Sequence, residues 1–113
     1  MIINSKLVRG LLVAALLAAA GPALASSQGP GLASGISTGS DGMVWFAHSG
    51  VRSGALPSCA DANGLWVFSV STPAGQAMLA NLLAATAAGK TVSIQGSGSC
   101  TGSHESVAYI VGL

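Results

Sequence analysis

Charge is scarce in this chain of 113 residues, which has four Lys and Arg against three Asp and Glu. No basic patch is available to neutralise phosphates, so nucleic acid is not expected as a partner. The carboxylates Asp41, Asp61 and Glu105 are scattered and form no recognisable acid/base pair. His48 and His104 match no ligand spacing on one helix or in a C-x-x-C knuckle, so no metal or other cofactor is expected. The glycines at Gly96 and Gly98 lack the Gly-Lys-Ser/Thr continuation of a phosphate loop, and read instead as flexibility near Cys100. Long apolar runs are absent after the first twenty-five residues, which excludes a later membrane span.

What is present begins with an export signal. Lys6 and Arg9 precede the apolar run "LLVAALLAAA", Gly21-Pro22 breaks it, and Ala23-Leu24-Ala25 supplies an A-x-A cleavage site. Residues 1–25 are therefore expected to be a signal peptide cut between Ala25 and Ser26, sending the product to a periplasm or out of the cell. After that cut Arg52 and Lys90 face Asp41, Asp61 and Glu105, a formal net charge of about −1. The remaining chain is long enough for one domain, and a core of that size is marginal without a staple. Cys59 and Cys100, the two cysteines, allow one intramolecular pairing in an oxidising compartment.

Residues 26–35, rich in Gly and Ser, read as a flexible N-terminal arm, and 36–113 as the folded domain. A strand through "LASGIST" leads to the tight-turn pair Asp41-Gly42 and a second strand, "MVWFAHS". A loop holding Cys59 follows. "LWVFSVS" is a strand apolar on both faces, which suits a closed barrel. Thr72-Pro73 marks a helix start and Gly89 its end. Met78, Leu79, Leu82 and Leu83, joined by Gly75 and Ala85, form its core-facing stripe. "TVSIQGSG" and "ESVAYIVGL" add two strands. The expected class is mainly β with one helix (α+β), in the order β-β-β-α-β-β of an OB-like five-stranded barrel.

Pro57-Ser58-Cys59, Leu65-Trp66-Val67-Phe68, Thr72 through Met78, Leu82-Leu83, Gly89-Lys90, Gly96 through Cys100 and Glu105 through Ile110 form a further pattern. In these residues the segment from about Leu56 to Val111 resembles a group of small exported bacterial proteins similar to the B subunit of subtilase cytotoxin. The resemblance implies an OB-type barrel with a bridge between the two cysteine segments. For the toxin subunits it also implies a five-membered ring that binds sialylated cell-surface glycans and carries a separate catalytic chain. This chain is shorter and has Ala84-Ala85-Thr86-Ala87-Ala88 where those subunits have an aromatic-rich stretch. Their glycan-binding residues therefore do not carry over.

Two features remain for function. Ala77, Ala80, Ala84, Ala87 and Ala88, with Gln76 and Asn81 beside them, lie opposite the leucine stripe. A charge-free face of small residues can be desolvated without stranding an ion, which makes Ala77, Ala80, Asn81, Ala84 and Ala88 the candidate interface of a homo-oligomer. Trp45, Phe46, His48 and Arg52 are the candidate glycan-stacking residues, although alternation puts Trp45 and Phe46 on opposite faces. Gly98-Ser99-Cys100-Thr101-Gly102 has the shape of a nucleophile elbow, but the segment after it reads as a strand and Cys59 competes for the thiol. The expectation is a non-catalytic exported binding module. A small periplasmic structural or inhibitory protein contacting one protein partner is the alternative.

Overall fold

A computed structural model describes residues 25–60 and 64–112. The segment read as the signal, through Leu24, lies outside the described residues. Its elements are β1 (Ser26–Gly31), β2 (Ala33–Thr38), β3 (Met43–His48), β4 (Arg52–Gly54), β5 (Trp66–Ser69), α1 (Pro73–Ala87), β6 (Val92–Thr101) and β7 (His104–Gly112). The described chain is mainly β with one helix, and its seven strands form a single sheet in the order β2-β3-β5-β7-β6-β1-β4. Neighbouring strands are antiparallel except β5 and β7, which run parallel.

Local chemistry explains the elements. In the β2–β3 hairpin Asp41 Oδ1 accepts the Met43 N–H at 3.1 Å, and Gly42 takes φ +80°, a conformation that favours glycine. Thr72 Oγ1 caps α1 by accepting the Gly75 N–H at 3.1 Å, and Pro73 occupies the first turn. At the other end Gly89 has φ +66°, its N–H donates to Thr86 and that of Lys90 to Ala85, closing the helix as a Schellman motif.

The core consists of Val44, Phe46, Trp66, Phe68, Leu82, Val92, Ile94 and Val107. Phe46 and Phe68 meet edge to face with centroids 6.0 Å apart. β5 is central in the sheet, paired with β3 and β7, and is buried on both faces at Trp66, Val67 and Phe68, with α1 packed across its end. That approach is close: a Cβ on Gly75 would collide with the Ser69 carbonyl oxygen.

Three expectations need correction. Residues 26–35 are not a flexible arm: Ser26–Gly31 form β1, paired with β6 on one side and β4 on the other. Gly and Ser give this segment little intrinsic strand preference, and the two ladders together with the buried side chains of Ser26 and Gln28 override it. The segment read as a loop contains β4, which together with β1 raises the five strands expected to seven. The helix stripe is narrower than expected, with Leu82 buried and Met78, Leu79 and Ala85 partly so, whereas Leu83 is 49% exposed. Leu83 sits one helical step of 100° past Leu82, which carries it over the edge of the contact.

A candidate binding surface on the outer face of β4-β1-β6-β7

Strand alternation divides β6 into an inward set, Val92, Ile94 and Gly96, and an outward set that includes Ser93 and Gln95. Register then aligns outward residues of four strands in one row. Ser53 of β4 lies opposite Ser27 of β1, Ser27 opposite Gln95 of β6, and Gln95 opposite Tyr109 of β7. Ser93 and Val111 form the adjacent pair. These residues line an open concavity of about 270 Å³. Ser27 and Ser53 hydroxyls are 3.2 Å apart, and Gln95 Nε2 donates to the Gly96 carbonyl at 3.1 Å. Tyr109 is 55% exposed and Val111 44%. The lining contains hydroxyls, two side-chain amides and a phenol ring, and includes no Asp, Glu, Lys, Arg or His.

Trp45, Phe46, His48 and Arg52 are not brought together as a stacking surface. Phe46 is a fully buried core residue, which corrects its reading as a ligand contact. Trp45 is half-buried on the opposite face of β3, its ring against the β2–β3 turn at Gly39. His48 spends both ring nitrogens internally: Nε2 is 2.8 Å from the Val92 carbonyl oxygen, to which it donates, and Nδ1 accepts the Gly50 N–H at 3.2 Å. Arg52 stacks on Trp66, its guanidinium carbon 4.2 Å from the ring centroid, and donates to the Gly64 carbonyl at 3.1 Å. Burial lowers the Arg52 pKa, and the Coulombic pull of Glu105, 3.7 Å away, opposes that shift. The pairing with Trp66 depends on β1, since Gln28 Oε1 accepts the indole N–H at 2.6 Å.

Cys59 and Cys100 are joined in a disulfide across 41 residues, with Cα atoms 6.1 Å apart. Gly98 through Gly102 therefore belong to the β6–β7 hairpin, and Cys100 is bonded to Cys59. Ala77, Ala80, Asn81, Ala84 and Ala88 are all exposed on the described chain. Among the described residues no group of three or more His, Cys, Asp or Glu side chains converges, and no helix is long and apolar enough to cross a membrane.

Ser27, Ser53, Ser93, Gln95, Tyr109 and Val111 were not singled out by sequence reasoning. Alternation in "TVSIQG" and "SVAYIV" separates the two faces of each strand, but only the register places them beside β1 and β4. Fold and surface together define a class, a small mainly-β domain with an open, uncharged concavity on its sheet. Comparison of the chain with models of known families, with curated proteins and with solved structures finds no match.

Proposed function

We propose that this chain is a non-catalytic exported binding module that takes an uncharged face of a glycan on the outer surface of β4-β1-β6-β7. The observation that carries the reading is the row Ser53, Ser27, Gln95 and Tyr109. An exposed aromatic ring accepts the C–H face of a pyranose, while flanking hydroxyl and amide groups give direction through hydrogen bonds. The sialylated ligands implied by the toxin-subunit resemblance would bring a carboxylate, for which this lining offers no cation. Export is supported by the basic, apolar and A-x-A succession ending at Ala25, and the disulfide is compatible with an oxidising compartment.

Connectivity supports an OB-type closed barrel. β1 and β2 are separated by Leu32 alone, yet β1 pairs with β6 and β2 with β3. The ladder that starts at β2 and runs through β3, β5, β7 and β6 thus returns to the same stretch of chain. With β1 and β2 as two halves of one bent strand, five strands enclose the core and α1 follows the third of them. The exposed, charge-free side of α1 supports self-association through Ala77, Ala80, Asn81, Ala84 and Ala88. It also favours the alternative reading, a small structural or inhibitory protein contacting one protein partner through that helix.

A glycan array on the oxidised protein, with titration of each hit, tests the proposal. Tyr109→Ala should weaken binding at least tenfold, about 1.4 kcal/mol, with the fold and disulfide intact. A well-folded protein with no glycan signal, or binding indifferent to Tyr109→Ala, overturns it.

A further inference from the structure

Glu105 is a carboxylate with no solvent of its own, its side chain 0% exposed. Burying such a charge is costly unless donors and a counter-charge surround it. Its donors come mainly from one residue. The backbone nitrogen of Ser26 lies 3.1 Å from Oε2 and 3.3 Å from Oε1, and the Ser26 hydroxyl also donates to Oε1. Gly98 N–H reaches Oε2 at 3.2 Å, and Arg52 donates to the Ser26 hydroxyl at 2.8 Å. The space is made by Gly96, where a Cβ would collide with the carboxylate.

The nitrogen that spans both carboxylate oxygens is the one that the A-x-A pattern marks for release. As a peptide nitrogen it has one hydrogen to share between two acceptors. As a chain terminus it would have three hydrogens and a positive charge. We infer that cleavage between Ala25 and Ser26 converts this nitrogen into an α-ammonium that forms a buried ion pair with Glu105, so that signal removal completes the polar centre of the fold. The inference rests on the export reading above. Arg52 does not make the pair redundant: it stands 3.7 Å from the carboxylate, is 17% exposed, and divides its contacts between the Trp66 ring, the Gly64 carbonyl and the Ser26 hydroxyl. Ser26 itself is 0% exposed, so a peptidase cannot reach this bond in the folded domain. Cleavage therefore precedes docking of β1.

The test begins with the full chain, exported to an oxidising compartment, purified, and treated with limiting acetic anhydride at pH 7. After cleavage at Ala25–Ser26 the available amines are the Ser26 α-amine and exposed Lys90. An unprotected α-amine, with a pKa near 8 against about 10.4 for lysine, reacts first. The ion pair predicts the reverse order, with the α-amine slowed at least tenfold relative to the urea-unfolded chain. Glu105→Gln should restore the ordinary order. Because that variant can fail to fold, a chain carrying Gly-Ala ahead of Ser26 provides a second measurement. Its folding constant should fall at least tenfold below that of the chain starting at Ser26. A mature mass that begins elsewhere overturns the cleavage reading. A Ser26 start with an α-amine that acylates ahead of Lys90, or an extended chain of equal stability, overturns the ion pair alone.

Discussion

At the scale of single residues, Gly96 shows why composition misleads. By composition Gly96 and Gly98 both read as flexibility beside Cys100. Gly98 does adopt φ +80°, which favours glycine, but Gly96 is not among the residues with positive φ. Its role is to be small: a methyl group there would meet the Glu105 carboxylate and the Ser26 carbonyl oxygen. Gly96→Ala should therefore cost about 3 kcal/mol, from overpacking and displacement of a buried charge. Gly29→Ala is the matched control in the neighbouring strand. Nothing lies within 4 Å of a Cβ at Gly29, so that change should stay within about 0.5 kcal/mol of the parent. Urea denaturation of both variants under non-reducing conditions checks the pair, and equal effects would refute the spatial role assigned to Gly96. Nothing in the local sequence distinguishes these glycines, because the atoms that crowd Gly96 come from residues 26 and 105.

At the scale of elements, strong local signals were legible and weak ones were not. The Asp41-Gly42 turn, the strand around Trp66, and the Thr72-Pro73 start and Gly89 end of α1 all have short-range chemistry, and each is found where that chemistry puts it. β1 has no such signal. Its strand is imposed by β6 and β4 and by side chains such as Gln28, whose amide binds the His48 and Gly50 carbonyls at 3.2 and 2.6 Å. The row of outward residues follows the same logic, since Tyr109 is visible as an aromatic in a strand but its alignment with Gln95, Ser27 and Ser53 is not. For α1 the sequence identified an uncharged side, and the structure adds Leu83 at its border, 49% exposed. If that side joins two copies, changing Ala80 and Ala84 to Glu places charges in a desolvated contact. The protein should then pass from a uniform oligomer to a monomer in size-exclusion light scattering, with helix content unchanged. A parent that is already monomeric at high concentration would mean that these alanines face water.

At the scale of the whole molecule, the disulfide ties together parts that the sheet holds separately. Cys59 precedes β5, and Cys100 lies near the end of β6, beside the turn into β7. Residues 60–99 between them contain β5, α1 and most of β6, so the closed loop contains much of the core, including Trp66, Phe68, Leu82, Val92 and Ile94. Such a bridge acts chiefly by restricting the unfolded chain, and a separation of 41 residues corresponds to about 4 kcal/mol on the chain-entropy model. Small domains have about 5–15 kcal/mol of total stability, and this one spends part of it on a buried carboxylate. Reduction should therefore lower the urea midpoint steeply, with a loss of about 4 kcal/mol, and Cys59→Ala combined with Cys100→Ala should reproduce the loss without reductant. Agreement between the two assigns the effect to the cross-link itself rather than to the thiols. A reduced protein that keeps its midpoint would show that the loop is already constrained in the unfolded state, and that the seven-stranded sheet stabilises the fold without the bridge.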